Sequence, residues 1–113
     1  MKTQKLILEQ VDRKILKLKK LDDMSIPPSG WIYAIRQALG MSLRQLGERM
    51  GMTPQSVKEN ETREKNGTIS LNALRRFGKS LDMKLVYGFI PGQDSLEKMI
   101  EKRLQTPKGF HTK

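Results

Sequence analysis

The sequence contains no cysteine and a single histidine. The first absence excludes disulfides and thiolate metal sites and fits a reducing compartment. The second leaves His111, close to the C-terminus, without the partner imidazole that a metal centre or proton relay would use. Aromatic residues make up only 5% of the chain, so a core of helices packed through Leu, Ile, Val and Met is expected. No stretch approaches the roughly 18 apolar residues of a membrane-spanning helix. The N-terminus lacks a hydrophobic block followed by a small-residue cleavage site, so a soluble, cytoplasmic protein with no membrane partner is expected. No glycine-rich phosphate loop and no Ser/His/Asp set can be assembled. Neither an enzyme, nor a cofactor, nor a metal site is expected.

What the sequence does have is cation. Lys and Arg number 22 against 12 acidic residues, a net charge of +10 on 113 residues. Such a balance attracts polyanions, because neutralising phosphates releases condensed counterions. The charge is spread along the chain, so it identifies a class of partner without locating a site.

Periodicity divides the chain into an N-terminal amphipathic helix (1–24), a central domain (29–82), a strand and a helix (83–106) and a disordered tail (107–113). Over 3–22, Leu8, Val11, Ile15 and Leu18 step by three and four, with Ile7 and Leu21 widening the stripe and cations on the other faces. This seam is too short for a free-standing coiled coil. It suits packing on the domain, on a second copy or on a partner protein. A basic membrane-surface helix is the weaker reading, for want of a bulky aromatic anchor. Pro27-Pro28 forbids continuation of the helix.

Four short helices follow. Ser29 is the expected cap of the first, whose core stripe reads Trp31, Ile35, Ala38 and Leu39. Ser42 and Gln45 form a capping box for the second, with Leu43, Leu46, Gly47 and Met50 on its apolar face. Thr53 caps the third, with Pro54 at the first helical position. The fourth begins near Ser70 and buries Leu71, Leu74, either Phe77 or Gly78, and Leu81. Residues 83–90, rich in aromatic and β-branched types and ending at Pro91, read as a short strand. A lone strand needs a partner, which a homodimer or another protein would supply. Ser95 caps a last helix carrying Leu96, Met99, Ile100 and Leu104.

The stretch from Ser42 to Glu61 carries the functional information. Two capped helices meet across Gly51-Met52, and Gly47 inside the first costs about 1 kcal/mol against Ala, which a close helix–helix approach would explain. Val57 plugs the second helix onto Leu46 and Met50, pushing its N-terminal end outward. The outward set is then Thr53, Pro54, Gln55, Ser56, Lys58 and Glu59, with Arg63 beyond. Gln suits adenine's major-groove edge, Ser and Lys reach phosphates or base acceptors, and Glu accepts from cytosine. Ser42 and Leu43 open a helix whose free N–H groups and dipole suit a phosphate, reinforced by Arg44 and Gln45. Glu61 is expected in an internal ion pair or hydrogen bond, and the other acids of that helix, Glu59 and Glu64, on a solvated face.

Leu46, Gly47, Gly51, Thr53, Ser56, Val57 and Glu61 in this order resemble the Cro/repressor (Xre-like) helix-turn-helix family over roughly Ile32 to Leu81. Asn60 departs from it, standing where that family usually has a large apolar residue. Three further stretches are similar to the family called mobile mystery protein A: Trp31-Ile32 with Arg36 and Ala38-Leu39-Gly40-Met41, then Gly67 to Leu71, then Leu85-Val86-Tyr87 with Pro91. The resemblance implies an all-α fold, a Cro/repressor-like helix-turn-helix bundle with an extra N-terminal helix, a short C-terminal strand and a last helix. It also implies a gene paired with a Fic-domain protein, as antitoxin with toxin. The function expected is a dimeric repressor binding double-stranded operator DNA. The alternative is an interaction module that sequesters a partner protein without DNA. The inhibitory helix common among Fic partners places Ser or Thr four residues before Glu. Glu59-Asn60 comes nearest, but Gln55 stands in that position.

Overall fold

A computed structural model describes residues 2–92 and 94–104. These residues are all-helical: α1 Lys2–Leu18, continued by one 3₁₀ turn at Lys19–Leu21, then α2 Trp31–Ala38, α3 Leu43–Met50, α4 Pro54–Lys65, α5 Leu71–Ser80 and α6 Leu96–Leu104. They form two compact units. Ser25–Val86 is one, and the residues up to Met24 with those from Tyr87 onward are the other. The tail expected at 107–113, with His111, lies outside the described residues.

Three of the central unit's four helices, α3, α4 and α5, have a local start signal. Ser42 Oγ accepts the Gln45 N–H at 3.0 Å while Gln45 Oε1 accepts the Ser42 N–H at 2.8 Å, a complete capping box. Thr53 Oγ1 accepts from Ser56 N–H and Ser70 Oγ from Ala73 N–H, each at 3.0 Å. The start of α2 differs from expectation. Ser29 is not its cap; the capping position is Gly30, which has no side chain to offer. The Glu64 carboxylate takes over, accepting the N–H groups of Trp31 at 2.8 Å and Ile32 at 2.9 Å. A Cβ on residue 30 would stand only 2.8 Å from Glu64 Oε1, so glycine leaves the room this carboxylate needs. Glu64 is therefore a structural acceptor, and not part of a solvated acidic face.

Ile32, Leu46, Val57, Phe77 and Leu81 are buried as one core, ringed by Ile35, Met41, Leu43, Met50, Met52, Ile69 and Leu74. Each fully buried side chain of this size contributes about 1.5–3 kcal/mol. The stripe of α2 is rotated from the expected one. Trp31, Ala38 and Leu39 are exposed, and Ile32 and Arg36 point inward. Leu71, expected in the core, is exposed at the start of α5.

Residues 83–90 form no strand, and no strand occurs among the described residues. Their composition favours one, but a strand exists only when a neighbour pairs its backbone, and no described segment does so. Val86, Tyr87 and Phe89 are instead exposed on an irregular segment.

In the terminal unit α1 packs on α6. Asp12 of α1 caps α6, accepting the N–H groups of Leu96 at 2.8 Å and Glu97 at 3.3 Å, while Ser95 Oγ accepts from Lys98 N–H at 3.1 Å. Leu18 lies against the backbone of Gly88, where any side chain would collide with it. No described helix is long and apolar enough to cross a membrane.

Candidate nucleic-acid interface

The helices α3 and α4 are joined by a turn whose geometry is set by two glycines. Gly51 closes α3 in the left-handed conformation, φ 65° and ψ 36°, and ends the helix there. Gly47 lies where the chain doubles back. A Cβ at this position would meet the Met52 carbonyl oxygen at 2.5 Å, and the Met52 N–H donates to the Gly47 C=O at 2.9 Å. The close approach expected of Gly47 is thus real, but its partner is the backbone of the turn and not the next helix.

Val57 and Leu46 are both wholly excluded from solvent. Val57 is the fourth residue of α4, so its burial turns the first turns of that helix outward. Thr53, Pro54, Gln55, Lys58 and Glu59 are exposed, and Ser56 is half-buried at the edge of the same face. Thr53 and Ser56 engage each other, the Thr53 hydroxyl donating to Ser56 Oγ at 3.0 Å. The side chains of Gln55, Lys58, Glu59 and Arg63 bind no group among the described residues. Their donors and acceptors face solvent. Arg63 is exposed two turns further along.

The start of α3 divides its residues by role. Ser42 and Gln45 are exposed but occupied with each other, which leaves the Gln45 amide NH₂ free to donate. Leu43 turns its side chain to the core, so only its backbone N–H faces outward. Arg44 makes an exposed ion pair with Glu48 at 3.4 Å, which holds it weakly and leaves it able to move to an anion.

The back of α4 is fixed by charge. Arg36 Nε donates to Glu61 Oε2 at 2.6 Å and Nη2 to Oε1 at 3.1 Å, both out of water, and Nη1 donates to the half-buried Met41 C=O at 3.0 Å. The Glu61 hydrogen bond outweighs desolvation and raises the Arg36 pKa above its ordinary value. Tyr33 adds its ring, 5.4 Å from the guanidinium carbon. With Glu64 on the N-terminus of α2, two carboxylates of α4 are committed to α2. Sequence reasoning assigned Glu61 to an internal pair, but neither Arg36 nor the Glu64 cap was identified. Asn60 occupies its departing position by donating from Nδ2 to the Ser56 C=O at 2.9 Å, and α4 runs unbroken to Lys65. Arg49 also escaped notice; its Nη1 reaches the Ser80 C=O at 2.9 Å and ties α3 to the end of α5.

No group of three acidic or histidine residues among those described could hold a metal ion. Comparison of the chain with family models, curated proteins and solved structures returns no match.

Proposed function

We propose that this chain is a sequence-specific DNA-binding transcriptional regulator of the Cro/repressor helix-turn-helix type, a dimeric autorepressor of antitoxin-like kind paired with a Fic-domain protein. One observation carries the DNA reading. The N-terminal half of α4 presents an unpartnered amide, cation and carboxylate on a helix whose opposite side is clamped by Val57 and the Arg36–Glu61 pair. A convex helix face of that chemistry fits a major groove, and the net charge of +10 supplies the phosphate attraction. The α3 N-terminus with Arg44 serves as the backbone contact that sets register. Two copies on a two-fold axis would place their α4 helices about 34–36 Å apart, on half-sites one helical turn apart.

The test is a gel shift on the DNA upstream of the chain's own gene, with salt varied. Gln55→Ala is expected to weaken the preferred site by about 1–3 kcal/mol and to relax specificity there. Arg44→Ala should weaken all sequences alike and lower the salt slope by about one. Equal losses on specific and random DNA for both variants would refute the assigned roles. The competing reading, a module that sequesters its partner without DNA, draws on the exposure of Val86, Tyr87 and Phe89. It requires no shift at physiological salt and tight binding to the Fic-domain protein.

A further inference from the structure

The terminal unit is the half of the molecule that the DNA reading leaves unused, and its described residues form no core of their own. None of its described residues is buried; every side chain of the core belongs to Ser25–Val86. Two short helices cannot enclose an apolar interior by themselves, and an isolated helix of this length is marginal in water.

Helix α1 nevertheless carries two apolar seams. Leu8 and Ile15 are half-buried on the side that carries Asp12, the residue that caps α6, and Leu18 is half-buried against Gly88. The second seam, Ile7, Val11, Leu18 and Leu21, follows the alternating three- and four-residue spacing of helices packed side by side, with Lys14 as its one charged member. It is open to solvent: Ile7 is 55% exposed, Val11 38% and Leu21 41%. Beside Leu18 lies Gly88, and its neighbours Tyr87 and Phe89 are 62% and 85% exposed. A helix with two seams is suited to the interior of a four-helix arrangement.

We propose that the second seam of α1, with Tyr87 and Phe89, is the homodimer interface, and that two terminal units complete one four-helix core. Three considerations select a second copy as the occupant. The five exposed side chains offer on the order of 500–600 Å² at roughly 200 Å² per large side chain. That is about the apolar part of one partner's share, about 800 Å², in a standard interface. The cations Lys5, Arg13 and Lys20 project away from this seam, so within it two copies oppose only their Lys14 side chains, whose long stems let the ammonium groups reach solvent. The choice also rests on the proposed DNA reading, since a two-fold pair of α4 helices requires a two-fold interface.

The absence of native cysteine makes the test direct. Lys14 is central in the seam that runs from Ile7 to Leu21, so two-fold pairing brings the two residue-14 positions together whichever way the helices run. Full-length Lys14→Cys should oxidise to a disulfide-linked dimer, while Leu16→Cys, on another face and 65% exposed, should not. Phe89→Ser should weaken the dimer at least tenfold in sedimentation equilibrium with helix content unchanged. Wild-type chain that sediments as a monomer at high micromolar concentration overturns the proposal. So does Lys14→Cys cross-linking no faster than Leu16→Cys, as dimers formed by other surfaces would give. A chain that remains monomeric and associates only with the Fic-domain protein overturns it as well. Binding to a single half-site duplex separates the two ideas. A dimer that ignores that duplex removes the DNA reading and leaves the interface standing, while a monomer that binds it does the reverse.

Discussion

Removing the Glu61 carboxylate should nearly unfold the central unit. Glu61→Ala leaves the Arg36 guanidinium buried, with one of its three hydrogen bonds, to the Met41 carbonyl, still in place. Breaking a buried pair from one side costs about 3–5 kcal/mol, because the survivor is a desolvated charge. A unit of about 60 residues has only about 3–9 kcal/mol of stability in total. The loss should therefore lower the melting temperature by roughly 15 °C or more. The decisive measurement is a double-mutant cycle by chemical denaturation with Arg36→Met and Glu61→Leu. Each single change should be costly and the pair together much less so, because two apolar side chains of similar volume bury no charge. Alkalinity should not reproduce the effect. The raised Arg36 pKa means its contribution is fully present below the unfolded value and is lost only above the folded one, beyond any working pH. A Glu61→Ala cost below about 1 kcal/mol, or additive singles, would show that the pair does not hold α2 to α4.

Two further substitutions test the local geometry. Gly47→Ala should destabilise by about 1–3 kcal/mol by thermal denaturation, although alanine is the better helix former, because its methyl would collide with the Met52 carbonyl. A gain in stability would show that the turn has room to move. Glu64→Ala should cost about 0.5–2 kcal/mol through loss of the α2 cap, with Ser29→Ala near neutral. The opposite ranking would return the cap to Ser29.

The parts of the fold readable from sequence were those governed by neighbours in the chain. Ser42 with Gln45, Thr53 with Pro54, and Ser70 announce helix starts through bonds spanning three residues, and all three are present. Val57 was readable as a plug because it is the one large apolar residue among polar ones in its helix. The face of α4 that the plug turns outward was legible for the same reason. What escaped depends on residues far apart. Arg36 occupies a core position because Glu61, 25 residues on, neutralises it. A periodicity that counts arginine as polar therefore rotates the stripe toward Trp31 and Leu39. Gly30 lacks a capping side chain, so the local sequence points to Ser29, while the true acceptor, Glu64, stands 33 residues beyond Trp31. The strand at 83–90 failed because composition describes what a backbone tolerates, whereas pairing needs a second segment.

Gln55, Lys58 and Glu59 have no duties within the fold, whereas Val57, Glu61 and Glu64 have little else. The same helix thus separates what may drift from what must stay. Random change on its solvent side should alter preference among sequences while leaving expression and melting nearly untouched. A library varied at those three positions alone could be selected for new targets without first rescuing a broken scaffold.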